Sequence, residues 1–294
     1  MAHTPGIDVS LYQREINWGQ VFAAGNRFAF IKCSQGVTVT DPKFAVNWDG
    51  AKAAGLLVGV YHFINPTLAA QDQLAHLLQV LGNRQPDLPI ALDVEKPVDS
   101  DPPDVTQVVT DFVTLLTQRT GRKPLLYTAP SYWNAHVHGS LNWADYDLWI
   151  ANYGPPSPLL PHAWTTWKFW QYSGQGQTGG VSTPVDLDWF NGTEDDLKTY
   201  AQQTSGAAPQ AVQASNIQPA ASIQVMYIVT PDGLRVHDNP SKAATVLKSL
   251  PYRTQVQVEP QSSDIFVKIS SPLVGWIAKG EGSEIYLSTT PPQS

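Results

Sequence analysis

Cysteine is all but missing. The single thiol in 294 residues, Cys33, has no partner within the chain, so no disulfide framework staples the fold; its place in the apolar run "FAFIKCS" reads as a buried strand thiol. Charge is sparse too: Asp, Glu, Lys and Arg make up 15% of the residues and leave a net formal charge of −7. Without a basic stripe there is no electrostatic footprint for nucleic acid. No apolar run approaches the roughly 18 residues of a membrane span. The opening "MAHTPGIDVS" lacks the charged and apolar regions of a signal peptide. That implies release from the cell by another route, or a leader already removed. Histidine offers little to a metal: His136 and His138 have an H-x-H spacing but neither a nearby acid nor a third histidine, and read as surface or groove residues. No metal and no cofactor is expected.

Aromatic rings, by contrast, are plentiful, with 10 Trp and 11 Tyr. Core packing is their ordinary use, and flat aromatic faces are also what sugar rings stack on; composition leaves both open. The acid excess is uneven. Residues 1–222 hold 12 Lys and Arg against 19 Asp and Glu, whereas residues 223–294 hold 6 of each.

Apolar runs bounded by turn residues alternate with helical periodicity from residue 6 to about residue 201. Eight strands are predicted: "GIDVS" (6–10), "FAFIKCS" (28–34), "LVGVYHF" (57–63), "PIALDVE" (89–95), "PLLYTA" (124–129), "DLWIANY" (147–153), "WKFWQYS" (167–173) and "VDLDWF" (185–190). Helical spacing predicts helices over 41–54, 67–81 and 105–120. Alternating strands and helices argue for a parallel sheet, and eight strands for closure into a TIM-like β/α barrel with an irregular last third. Residues 202–222 contain no charge and no aromatic ring and read as a flexible tether. Residues 223–294 carry short strand-like runs punctuated by Pro, Gly and Asp, the pattern of a small all-β unit. The organisation is therefore 1–201, a tether over 202–222, and a second domain over 223–294.

The most informative stretch is "PIALDVEKP", residues 89–97, where an apolar strand runs into Asp93 and Glu95. Positions i and i+2 on a strand share a face, roughly 6.5 Å apart at about 3.3 Å per residue. Like charges held that close raise one another's proton affinity, and burial adds to it, so one carboxyl can keep its proton while the other ionises. That pairing suits general-acid chemistry; a helix cap plus a pair with Lys96 is the bland alternative. The wider pattern favours the first. Asp8 near the end of strand one, the strand-four pair, and Asp186 and Asp188 on strand eight all fall where a barrel collects reactive groups. The acids of "TEDDL" read differently: Glu194, Asp195 and Asp196 occupy the first turn of a predicted helix, where they favour its dipole.

Taken in order, "GIDVSLYQREINW", "FAFIKCSQG", "GVYHF", "ALDVE", "LLYT", "LWIANY", "FWQYS" and "VDLDWFNG" resemble the glycoside hydrolase family 25 lysozymes, the Chalaropsis-type N-acetylmuramidases, from about residue 5 to residue 200. The resemblance implies an open or flattened β/α barrel that hydrolyses the β-1,4 bond between N-acetylmuramic acid and N-acetylglucosamine in bacterial peptidoglycan. It implies Glu95 as proton donor, Asp93 beside it as stabiliser, nucleophile or helper of the substrate's own acetamido group, and Asp8 from strand one and Asp186 from strand eight. Tyr61, His62, Tyr127, Trp149, Tyr153, Gln171 and the supporting Asp188 would line the sugar groove. The tail, through "DGLRVHDNPS", "VLKSLPYRTQVQV" and "FVKISSPLVGWIAKG", is similar to bacterial SH3-like domains of wall enzymes, although "LRVHDNPS" departs from their usual Asn-Val-Arg core. It implies a wall-binding module. A monomer acting at the bacterial cell wall is expected, with a leaderless start leaning toward a phage endolysin.

Two rivals were weighed. A family 18 chitinase requires aspartates two and five positions before Asp93, where this chain has Ala91 and Leu88. A non-catalytic wall-binding barrel would have lost acid positions that are all retained here.

Overall fold

The computed structural model describes residues 2–95, 104–139 and 141–205, together with short segments between 224 and 288. The chain divides into two units, Met1–Ala211 and Val212–Ser294.

The first unit contains all eight expected strands: β1 (Thr4–Val9), β2 (Phe28–Gln35), β3 (Leu57–Phe63), β4 (Ala91–Asp93), β5 (Leu125–Thr128), β6 (Leu148–Ala151), β7 (Phe169–Gly176) and β8 (Val185–Phe190). Strands β1 to β7 pair in parallel with their sequence neighbours, and β8 pairs antiparallel with both β7 and β1. Hydrogen bonding thus runs round the full circle, so the barrel is closed rather than open or flattened. The reason lies in the last connection. No helix intervenes between β7 and β8, and a short link can only return the chain antiparallel. A two-residue strand at Val39–Thr40, absent from the periodicity, adds to the end of β2.

Helices α1 (Trp18–Ala23), α2 (Phe44–Ala53), α3 (Ala70–Leu81), α4 (Thr106–Thr120), α5 (Pro130–His136) and α6 (Glu194–Ser205) complete the unit. The helical periods at 41–54, 67–81 and 105–120 correspond to α2, α3 and α4. The two short helices were not legible, because six or seven residues hold under two turns of periodic signal. Their ends are nonetheless built conventionally. Asn17 caps α1 by accepting from the Gln20 amide at 3.1 Å, and α5 begins on Pro130. Thr193 and Asp196 cap α6 reciprocally, and Glu194 reaches Arg27 at 2.8 Å, so the "TEDDL" acids are helix-start residues. Helix α6 continues to Ser205, four residues into the stretch read as a tether; the rest of that stretch, 206–222, lies outside the described residues.

Strand alternation sorts the side chains into two layers. On β2, Ala29, Ile31 and Cys33 face the helices, where they pack with Phe112, Val109 and Leu77. Phe28 and Phe30 face the barrel interior with Trp149 and Phe169. Phe30 stacks on Trp149 at 4.4 Å and meets Phe169 edge-on at 5.1 Å, so the interior is an aromatic plug rather than a channel. Tyr200 of α6 packs on Phe169 and Phe190 beneath it. Cys33 is fully buried, and burial pushes its thiol up to about 12.

The second unit is antiparallel β throughout its described residues. Its seven-stranded sheet runs in the order 246–250, 234–237, 275–278, 266–271, 255–262, 224–228 and 287–288. Ile228, Leu234, Val236, Leu250, Val256, Ile277 and Leu287 form its core.

The plug has a counterpart in backbone. A Cβ on Gly59 of β3 would lie 2.2 Å from the Phe30 ring. Gly59→Ala is therefore expected to lower stability by about 1 to 3 kcal/mol, as overpacked cores do. Chemical denaturation of the two proteins measures this; an unchanged midpoint would mean the ring has room to move.

Candidate active site

The carboxyl rim of the barrel gathers the acids. Asp8 is the penultimate residue of β1 and Asp93 the last of β4, with Glu95 two residues beyond. Because β8 runs antiparallel, its beginning lies at this rim, so Asp186, its second residue, stands directly opposite Asp8 in the β1–β8 register. Sequence reasoning placed Asp186 correctly but for a parallel strand. Asp188 pairs with Gly6 and Gln171, one step deeper.

Gln171 ties the basin together. Its amide Nε2 donates to Asp8 Oδ2 at 2.7 Å, while its Oε1 accepts from the Tyr127 hydroxyl at 3.0 Å and the Tyr153 hydroxyl at 2.5 Å. Only this amide orientation fits, since the carboxylate accepts and the phenols donate. Trp149 Nε1 donates to Asp188 Oδ1 at 2.8 Å. Asp188 Oδ2 is buried without a donor among the described residues, and so is Asp93 Oδ1. Asp8 and Asp188 act on each other's proton affinity, and a proton held by one of them would give the pair a hydrogen bond.

The four acids act on shared neighbours. The charges of Asp8, Asp93 and Asp186 all act on the Tyr61 hydroxyl, and those of Glu95, Asp93 and Asp8 on that of Tyr127. Burial raises the proton affinity of every carboxyl in the basin. Asp8 is held well above the usual carboxylate range by burial, then by Asp188 and Asp186; Asp188 is raised chiefly by burial against the Trp149 bond. Asp93 is raised by burial and by Glu95, and Glu95 by burial and by Asp186, with the Lys32 ammonium pulling both down. Asp186 is pushed up to about 6 by burial. The basin can thus hold protonated and ionised carboxyls side by side near neutrality.

Three groove assignments change. His62 follows Tyr61 on β3 and so faces the other way. It is fully buried between the strands and the helices, with Nδ1 2.9 Å from Ser34 Oγ and its ring stacked 5.3 Å from Phe112. Burial lowers its pKa to about 4, and it is a core histidine. Trp149 and Asp188, at 1% and 0% exposure, lie beneath the rim and cannot line a groove; they hold other residues in place. Tyr153 is open to solvent at 55%, Tyr61 is partly exposed, and Tyr127 and Gln171 form the floor. His136 stacks on Tyr132 at 4.4 Å, within α5.

Sequence reasoning missed Lys32 and Asp41. Lys32, the one basic residue in "FAFIKCS", lies beside the acid pair with its Nζ donating to Gln35 at 2.9 Å and lying 5.1 Å from the Phe63 ring centroid. A lone lysine in an apolar strand was the available signal. Buried Asp41 accepts from the amides of Leu11 and Lys43 and fixes the turn after β1; nothing local announces it.

Comparison with known proteins places this architecture. The family model described as "Glycosyl hydrolases family 25" matches residues 7–181. Lysozyme M1 of Streptomyces globisporus is 36% identical over 218 residues, covering 68% of this chain and 72% of its own. The N,O-diacetylmuramidase of a Chalaropsis species is 32% identical over 213 residues, covering 67% and 98%. The crystal structure of a bacterial lysozyme from Streptomyces coelicolor superposes with a TM-score of 0.65 at 35% identity, covering 69% of this chain and 99% of that one.

Crowded carboxyls make stability depend on pH. Unfolded, Asp188 ionises near pH 4; folded, it keeps its proton to well above that. Above the unfolded value the native state binds more protons, so this group's contribution to stability falls as pH rises. His62, lowered in the fold, acts with the opposite sign below its unfolded value near 6.5. The variant difference isolates the carboxyl. Asp188→Asn keeps an acceptor for Trp149, and its gain in thermal midpoint over the parent is expected to grow from pH 4 to pH 8. A gain that stays flat with pH would refute the buried-proton assignment.

Proposed function

The chain belongs to glycosyl hydrolases family 25, and from that premise we propose that it cleaves the β-1,4 bond between N-acetylmuramic acid and N-acetylglucosamine in bacterial peptidoglycan, with Glu95 as the general acid. The observation that carries this reading is the meeting of Asp8, Asp93, Glu95 and Asp186 in one basin where burial raises their proton affinities.

A glycosidic oxygen leaves only when protonated, while the anomeric carbon gains positive charge in an oxocarbenium-like transition state. Glu95 is partly exposed and stands beyond the strand end, so it reaches the leaving oxygen; Asp93, at 4% exposure, does not open to solvent. The strand-four pair holds its proton against Lys32, and once Glu95 has passed that proton to the leaving oxygen the negative charge rests on the Glu95 carboxylate, where the Lys32 ammonium offsets it. Asp186, at about 6, is mostly ionised at pH 7 and supplies charge to the electron-poor ring. Gln171 fixes Asp8, Tyr127 and Tyr153 as one unit, so the charges and the groove floor are positioned before substrate arrives. The exposed Tyr153 ring and Tyr61 offer faces for sugar stacking.

The second unit reads as a bacterial SH3-like wall-binding domain over 223–294, joined through 202–222 to a hydrolase over 1–201. Its small antiparallel sheet with a single apolar core supports this. Salt screens charges beyond about 8 to 10 Å, so an acidic enzyme gains little from long-range attraction to an anionic wall. Two linked sites raise avidity by roughly 10² to 10⁴ when the linker spans them. The setting is the bacterial cell wall, reached as a monomer.

Glu95→Gln is expected to reduce release of muramic-acid reducing ends from purified walls by about 10² to 10⁴, with unchanged wall binding and a thermal midpoint no lower than the parent's. The parent's rate falls as pH rises through the Glu95 titration, and the variant's residual rate loses that limb. Activity above about one percent of the parent would remove Glu95 from the role of acid.

A further inference from the structure

Away from the catalytic rim, a second cavity of about 350 Å³ lies where α3 and α4 end and the chain turns into β4 and β5. These are the amino ends of the strands, so the cavity is on the face of the barrel opposite Asp93. Four cations line it, Arg84, Arg119, Arg122 and Lys123, and no carboxylate does among the described residues. In a chain carrying a net −7, such a concentration of one sign needs a reason.

Helix dipoles supply part of one. Cations near the carboxyl ends of two helices are favoured by their dipoles, and Arg119 sits in the last turn of α4. The dipoles do not account for Arg122. Its guanidinium is anchored to backbone, donating from one terminal nitrogen to Pro86 O at 3.1 Å and from the other to Asp87 O at 3.4 Å. That leaves Nε, which is buried with no acceptor among the described residues. An unsatisfied buried donor is costly, the more so on a charged group. The nearest acid is spoken for: the Asp87 carboxylate engages Lys52 at 2.8 Å and the Val58 amide at 2.8 Å. Apart from Gln85 and Thr120, the remaining wall is apolar, including Leu81, Ile90 and Leu116.

We propose that this cavity binds a phosphate ester with a short carbon chain. Guanidinium groups match phosphate oxygens: Arg84 and Arg119 bring their forks, Arg122 brings the Nε its backbone anchors leave over, and Lys123, which gives one donor to Asp145 O at 3.1 Å, has two more, so together they suit a group presenting more acceptors than a carboxylate has. The volume falls at the small end of ligand pockets, about 300 to 1,000 Å³, and the apolar wall accommodates carbon beside the charge. The inference stands apart from the hydrolase reading, since it uses none of the residues at the catalytic rim.

Calorimetric titration of the full chain at fixed ionic strength tests it, with glycerol 3-phosphate, inorganic phosphate and a glycerol-phosphate polymer as probes and sodium chloride as the baseline. One equivalent of glycerol 3-phosphate is expected to bind more tightly than inorganic phosphate. The double variant Arg119→Ala, Lys123→Ala weakens that binding at least tenfold with an unchanged thermal midpoint and wall-lysis rate. Arg122→Lys, which keeps the charge and loses the Nε donor, weakens it too. Tighter binding of the polymer than of the monomeric ester would identify a polymeric source, and the reverse a free metabolite. Heats indistinguishable from chloride, or a double variant that binds like the parent, would overturn the site. Equal affinity for phosphate and its ester would overturn the role given to the apolar wall.

Discussion

Asp8 and Asp186 face each other across two hydrogen-bonded strands, and that enforced meeting of like charges organises the rest of the site. It exists because β8 returns antiparallel and closes the barrel onto β1. Two acids in register repel, so the surroundings must either ionise only one or supply donors. Here the Gln171 amide donates to Asp8, while burial and the Asp188 carboxyl behind it raise the proton affinity of Asp8. The cost of burying these groups is recovered as preorganisation, because charges and donors are already fixed in place.

The same economy extends downward. Trp149 is at once the partner of Phe30 in the aromatic plug and the donor that holds Asp188. Packing below the rim and hydrogen bonding at the rim are therefore one structure, and a shift in the plug would be transmitted to the acids through an indole ring. The glycines of β1 and β3 give those rings their space.

Much of this was written locally. Eight apolar runs became eight strands, three periodic stretches became three helices, and the acid spacing of "ALDVE" put Asp93 and Glu95 on one side of a strand end. What local pattern could not carry was pairing. Whether β8 ran with or against its neighbours depended on the length of a connection, and closure followed from that. His62 was drawn into the groove by its neighbour Tyr61, although alternation allows only one of them to face inward. Lys32 and Asp41 act through residues about 30 to 60 positions distant, and no window of sequence contains both partners. Gln171 was assigned to the groove, but its part as the junction of three side chains appears only once strands one, five and seven are assembled.

Cys33 has a practical meaning of its own. Being the sole thiol, fully enclosed between the second strand and the surrounding helices and reluctant to ionise, it is invisible to alkylating reagents while the barrel is intact. Its modification can only follow an opening of the catalytic unit. The molecule thus carries an internal clock for its own unfolding, readable by mass without adding a label.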